Sequence, residues 1–72
     1  MRMKEIKELD VVELLKPLHS EGLRAGEIGT VVMVFTSPVV AYEVEFVNKD
    51  GSTRAQVTLQ PDQVRRLEGK TK

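Results

Sequence analysis

Apolar and polar side chains alternate along much of the chain, a pattern typical of strands that bury one face. The clearest case is VAYEVEFV at 40–47, where apolar residues alternate with Glu43 and Glu45. A second segment, IGTVVMVF, is rich in the β-branched residues that favour strands. The pattern as a whole predicts five strands, at 10–15, 28–35, 40–47, 52–59 and 64–67.

Residues typical of turns separate these segments. A long connection at 16–27 contains Pro17, Gly22 and Gly26. The pair Asp50–Gly51 predicts a hairpin, because both residues tolerate the positive φ that tight hairpin turns require. Pro61 presets the φ of a single 3₁₀ turn before the last strand.

The first segment has a competing interpretation as a helix, since Ile6, Leu9 and Val12 recur at helical spacing. The adjacent β-branched residues Val11 and Val12, and the lack of a capping residue before Met3, favour the strand.

Five short strands, a long first loop and a 3₁₀ turn before the last strand predict an all-β fold, a small five-stranded SH3-like barrel. We expect one domain at 9–67, a frayed N-terminus at 1–8 and a flexible tail at 68–72. A chain of 72 residues is near the lower limit at which a core alone stabilises a fold, so self-association is a natural supplement.

The step GEIG at 26–29 admits two interpretations. A phosphate-binding loop needs a helix start after its glycines, and the residues that follow, TVVMVF, are poor helix formers. We therefore expect structural glycines: Gly26 supplies a positive φ, and Gly29 permits a bend or bulge. Gly51 is a third structural glycine, in the hairpin turn.

The motifs DVV, GL..G..GTVV.V, YEVEF, DG and TL, in this order and spacing over 9–67, resemble the short bacterial family catalogued as domain of unknown function 4926. The resemblance implies an SH3-like barrel and supplies no catalytic or ligand-binding residues. More loosely, G..GTVV.V is similar to the KOW element of ribosomal and transcription proteins.

Composition excludes several classes of protein. The chain has no cysteine, hence neither disulfides nor thiolate metal sites. No apolar run reaches the length of a membrane span, and the N-terminus is too charged for a secretory signal, so we expect a cytoplasmic protein.

Candidate catalytic groups are few. Glu43 and Glu45 face the same side of one strand, but an acid–base pair needs a cleft and a raised pKa, and a solvated strand face is the simpler interpretation. His19 lies in a polar loop without a nucleophile suggested near it. We predict no catalytic, cofactor-binding or metal-binding residues, and no enzyme activity.

Nucleic-acid binding is the alternative to protein binding. Formal net charge is zero, and no aromatic platform is present. If the first and last strands are neighbours, seven of the 11 cations share one end of the molecule: Arg2, Lys4, Lys7, Arg65, Arg66, Lys70 and Lys72. Acidic residues interleave with them, which makes nucleic acid the less favoured partner.

Exposed apolar residues supply the remaining signal. Met33 faces outward if Val32 and Val34 face inward, and Val39 lies at the tip of the next hairpin. The pattern leaves open which side Phe35 faces, at the end of the strand. Such a cluster is adequate for a protein contact. A polyproline groove is not expected, because few aromatic residues are present and Tyr42 faces the core. The sequence thus predicts a non-enzymatic binding module, an accessory or inhibitory partner of another protein, without a cofactor.

Overall fold

The alternating segments form five antiparallel strands in the computed structural model, which describes residues 5–67. The strands are β1 (Val11–Leu14), β2 (Ile28–Phe35), β3 (Ala41–Val47), β4 (Thr53–Leu59) and β5 (Val64–Arg66). Two 3₁₀ turns, His19–Glu21 and Pro61–Gln63, lie between them. The predicted all-β class and five strands are confirmed, and the segment at 11–14 is a strand rather than a helix.

The strands lie in the order β4-β3-β2-β1-β5, so the first and last strands are neighbours, as predicted. Strands β2, β3 and β4 form a meander, and β1 is hydrogen-bonded between β2 and β5. This arrangement is compatible with a small β-barrel. The finer SH3-like assignment and the likeness to KOW elements stay predictions.

One face of the sheet supplies the core. The predicted alternation on β3 is confirmed, since Tyr42, Val44 and Phe46 are all buried. The buried apolar side chains are Val12, Leu14, Leu23, Val31, Tyr42, Val44, Phe46, Leu59 and Val64. Apart from Phe46 and Tyr42 this core is aliphatic, which suits a chain with only three aromatic residues.

An irregularity in β2 changes which valine faces the core. Val31 pairs with Val44 and Met33 pairs with Glu43, so the register shifts at Val32. Val31 is therefore buried and Val34 packs against the core, whereas Val32 is half-buried. The expectation that Val32 faces inward is corrected: a bulged residue interrupts strict alternation. Met33 faces outward as expected.

The two glycines of the GEIG step act differently. Gly26 has φ +95°, the positive value predicted for the end of the long loop. Gly29 has no positive φ, and the irregularity of β2 lies further along the strand. A Cβ atom at Gly29 would lie 2.7 Å from Val44 Cγ1 and 3.0 Å from the Glu45 carbonyl oxygen. Gly29 thus permits close approach of β3, and the bend predicted at this glycine stays a prediction.

The long loop between β1 and β2 is fixed from two sides. Leu18 and Leu23 form an isolated β-bridge, and Leu23 enters the core. From β4, the Arg54 guanidinium pairs with Glu27 at 2.8 Å and donates to the Gly22 carbonyl oxygen. The loop therefore belongs to the folded unit.

The predicted hairpin between β3 and β4 is present. The Asn48 N–H donates to the Ser52 carbonyl oxygen at 2.8 Å, and Gly51 has φ +90°. The Asp50 carboxylate accepts from the Ser52 hydroxyl and from the Ser52 N–H. These hydrogen bonds, the hydroxyl one first, hold the pKa of Asp50 below its ordinary value of 3.8.

The N-terminal region is partly within the described range. Ile6 packs against the core, and the Lys7 N–H donates to Asp10 Oδ2 at 2.8 Å. Leu9 has φ +74°, unusual for a branched side chain, in the turn before β1. The frayed segment predicted at 1–8 falls half outside the described residues, and the tail predicted at 68–72 falls wholly outside them. No helix within 5–67 is long and apolar enough to cross a bilayer.

Candidate interaction surface

An open apolar groove of ≈ 710 Å³ lies where the N-terminal segment meets β5 and the second 3₁₀ turn. Its lining is mostly aliphatic, with one phenol and two guanidinium groups. The residues that line it are Ile6, Leu15, Tyr42, Pro61, Val64, Arg65, Arg66 and Leu67. We call it the first groove.

Backbone pairing brings these distant residues together. Leu14 pairs with Val64 across β1 and β5, and the Leu15 N–H donates to the Gln63 carbonyl oxygen at 2.8 Å. The turn that carries Pro61 is closed by a capping box, in which the Gln60 N–H donates to Gln63 Oε1 at 2.7 Å. A fixed φ at Pro61 and a capped turn give this wall of the groove a defined shape.

Tyr42 is the one buried side chain in the described core that carries a polar atom, and it lines the first groove. The residue is only 7% exposed, and its hydroxyl has no hydrogen-bond partner among residues 5–67. Burial, followed by the nearby Glu5 carboxylate, raises the pKa of Tyr42 above 10.0. The phenol therefore stays protonated at neutral pH and is available as a hydrogen-bond donor.

Both arginines of the first groove are held by acidic residues of the first strand region. Arg65 forms an ion pair with Glu13, its neighbour in register on β1. Arg66 Nε lies 3.3 Å from Asp10 Oδ2. The two ion pairs leave the arginine side of the first groove close to neutral in charge.

A second groove, of ≈ 430 Å³, lies on the other side of Pro61. It is lined by Val39 and Val40 from the β2–β3 connection and by Gln60, Pro61 and Asp62 from the 3₁₀ turn. Because Pro61 borders both grooves, the two grooves are neighbours. We call the pair the Pro61 grooves.

Of the three residues predicted as a partner-binding patch, one lines a groove. Met33 and Phe35 are exposed on the outer face of β2, where they pair with Glu43 and Ala41 of β3. Val39 lines the second groove, and neither Met33 nor Phe35 lines either groove. The prediction that these residues bind a partner is taken up below.

Glu43 and Glu45 lie on the outer face of β3, as predicted. Glu43 accepts hydrogen bonds from Thr58 and Gln56, and Glu45 accepts one from Thr53 at 2.6 Å. Glu45 pairs with Gln56 in the β3–β4 ladder, one of the two neighbours expected for it. Both carboxylates sit on a sheet face, outside the Pro61 grooves.

The remaining candidates stay apart. His19 is exposed in the first 3₁₀ turn. Within residues 5–67 no three His, Cys, Asp or Glu side chains converge as a metal site would require. Four of the seven cations expected at one end, Arg2, Lys4, Lys70 and Lys72, lie outside the described residues.

Sequence reasoning missed the Pro61 grooves. Their lining comes from the N-terminal segment, β1, β3, the second 3₁₀ turn and β5, so no local motif encodes them. One signal was available: Leu15 and Leu67 end the predicted first and last strands, at positions that the alternation from Leu14 and Val64 places outside the core.

Comparison with known proteins places the chain in a family. A family model described as Domain of unknown function (DUF4926) matches residues 8–66, most of the 72 residues. Neither the curated proteins nor the solved structures contain a match. The chain therefore belongs to the DUF4926 family of domains of unknown function.

Proposed function

We propose that this chain is a non-enzymatic, cytoplasmic SH3-like module that binds another protein through the Pro61 grooves. The observation that carries the proposal is an open, mostly aliphatic groove of ≈ 710 Å³ lined by one nearly buried donor, Tyr42, whose hydroxyl has no hydrogen-bond partner within residues 5–67. Sites that bind ligands are typically about 300–1,000 Å³ and combine apolar walls with a few polar groups.

Exposed apolar side chains contribute to both grooves. Leu15, Val39 and Val40 are all exposed, and each lines one of the Pro61 grooves. Solvent-exposed apolar groups that adjoin one another are typical of protein-contact surfaces. Val39, predicted as a contact residue, keeps that role in the proposal; Met33 and Phe35 become the comparison surface.

The surroundings of the charged groups favour binding over catalysis. Glu43 and Glu45 accept hydrogen bonds from neutral donors on an open sheet face, whereas an acid catalyst is usually raised in pKa inside a cleft. The nucleic-acid alternative receives less support, because Arg65 and Arg66 are each paired with a carboxylate.

The test compares glutamate substitutions at similarly exposed apolar positions. Leu15 and Val39, 42% and 66% exposed, lie in the Pro61 grooves; Met33 and Val47, 47% and 54% exposed, lie outside them. We expect wild-type protein to capture a specific partner from native extract or from the products of neighbouring genes. Leu15→Glu and Val39→Glu abolish capture, and Met33→Glu and Val47→Glu leave it intact.

Thermal unfolding of all four variants serves as the folding control, because exposed substitutions typically change stability by less than about 0.5 kcal/mol. Loss of capture in Met33→Glu, with capture retained in Val39→Glu, would assign binding to the outer face of β2. A wild-type protein that captures nothing above background would refute the binding proposal altogether.

A further inference from the structure

The strongest clue to what the first groove accepts is the Tyr42 hydroxyl. A nearly buried phenol usually has a hydrogen-bond partner, and each exception requires an explanation. Here no residue within 5–67 accepts from this hydroxyl, although the ring itself is packed in the core. The groove that Tyr42 lines is where an acceptor from outside can reach it.

The charges around the groove restrict what that acceptor can be. Arg65 and Arg66, the cations of its lining, are already paired with Glu13 and Asp10. A carboxylate from a partner would compete with Glu13 and Asp10 for these two guanidinium groups and would add a second negative charge near Tyr42, on which the Glu5 carboxylate already acts. A neutral acceptor meets neither cost.

The other walls restrict the body of the ligand. Ile6, Leu15, Pro61, Val64 and Leu67 are aliphatic, and they suit aliphatic side chains better than polar ones. The groove is open rather than enclosed, and one residue of its wall, Pro61, also borders the second groove. An extended segment can therefore lie along it.

We infer that the first groove binds an uncharged, aliphatic segment of a partner protein in extended form, and that Tyr42 donates a hydrogen bond to one of its main-chain carbonyl groups. This inference rests on the proposed function and adds the chemistry of the partner segment. Tyr42 is then the residue that requires a hydrogen-bond acceptor at one position of the bound segment.

The test uses short peptides as probes. The uncharged probe is N-acetyl-Leu-Ala-Leu-amide, and its matched partner is the same peptide with a free carboxylate. Binding is followed by amide chemical shifts in a titration of ¹⁵N-labelled protein. We expect the uncharged probe to shift the amides of Leu15, Val64 and Leu67 and to bind more tightly than the carboxylate probe.

Tyr42→Phe removes only the hydroxyl. We expect it to weaken binding of the uncharged probe about three- to tenfold, the effect of one neutral hydrogen bond. The same variant should unfold at an equal or higher temperature than the wild type, because no residue within 5–67 accepts a hydrogen bond from the hydroxyl that it removes. Opposite signs for binding and stability are not expected of a tyrosine with a purely structural role.

Three results would overturn the inference: unchanged probe affinity in Tyr42→Phe, tighter binding of the carboxylate probe, or a lower unfolding temperature for Tyr42→Phe. In each of these cases the proposed function would still hold if the wild type captures a protein partner and Val39→Glu abolishes that capture. Capture that is insensitive to Val39→Glu and Leu15→Glu would instead reject the grooves themselves.

Discussion

Gly29 illustrates how one missing side chain sets the spacing between two strands. Its hydrogen atom faces β3, and a Cβ atom there would lie 2.7 Å from Val44 Cγ1 and 2.9 Å from Phe46 Cε1. Real Cβ atoms do not approach carbon atoms this closely, so a side chain at 29 would push the strands apart at the centre of the core.

We therefore expect Gly29→Ala to lower the free energy of unfolding by about 2 kcal/mol, measured by urea denaturation, because overpacking of a dense core has this order of cost. Val44→Ala removes the Val44 methyl group that lies 2.7 Å from this position, but the Phe46 ring carbon and the Glu45 carbonyl oxygen remain. The double variant should consequently lose about 1 kcal/mol less than the sum of the single losses.

Gly22→Asn is the control for Gly29→Ala, because it adds a side chain at a glycine that is not crowded. Gly22 has φ +70°, and no atom lies within 4 Å of the place that a Cβ atom would occupy there. Asparagine tolerates this backbone conformation, so the substitution should cost little. Strict additivity of Gly29→Ala and Val44→Ala would contradict the steric explanation.

At the scale of elements, the link from β4 to the long loop is carried by Arg54. Its guanidinium reaches Glu27 and the carbonyl oxygen of Gly22, residues that precede β2. Among the described strands β4 pairs only with β3, so it is an edge strand. The contacts of Arg54 therefore join this edge strand to the long loop between β1 and β2.

Arg54→Ala should lower the free energy of unfolding by about 1 kcal/mol, a figure already reduced because both side chains are partly exposed to solvent. It should also speed hydrogen exchange of the Leu23 and Gly26 amides, which bond within the loop and to β1. Arg65→Ala is the matched control: its arginine also pairs with a glutamate, but the side chain is 62% exposed. Equal effects of the two substitutions would contradict a specific role for Arg54.

The elements were more predictable than the contacts between them. Alternation on β3 and the Asp50–Gly51 turn are local signals, and both were predicted within a residue or so of their observed limits. The bulge at Val32 was not, because β-branched residues occupy 31, 32 and 34 alike and hide the shift in register. The contact from Arg54 to Glu27 joins residues 27 positions apart, so no local pattern reports it.

At the scale of the whole molecule, charge balance bears on the nucleic-acid alternative. The chain has 11 basic and 11 acidic residues, and Arg54, Arg65 and Arg66 all form ion pairs. Binding driven by phosphate contacts needs cations that are free to replace condensed counterions. We expect no salt-dependent binding of labelled duplex DNA or RNA in fluorescence anisotropy at low salt.

A charge-reversed variant shows whether that assay would detect binding. The substitutions Glu43→Lys and Glu45→Lys each raise the formal net charge by two units, so the double variant has a charge of +4 instead of 0. Both positions lie on the outer face of β3. This variant should bind nucleic acid with an affinity that falls as salt rises. Wild-type binding with the same salt dependence would return the nucleic-acid alternative to first place.

Pairing of the first and last strands has a practical consequence for anyone who uses this domain as bait. Ile6 and Leu67, close to the two limits of the described chain, both border the first groove. A label or a surface linkage attached next to either of these two residues would thus lie beside the first groove and compete with its ligand. Immobilisation through a cysteine introduced at Lys49, in the β3–β4 hairpin and absent from the lining of both grooves, leaves that groove open to capture.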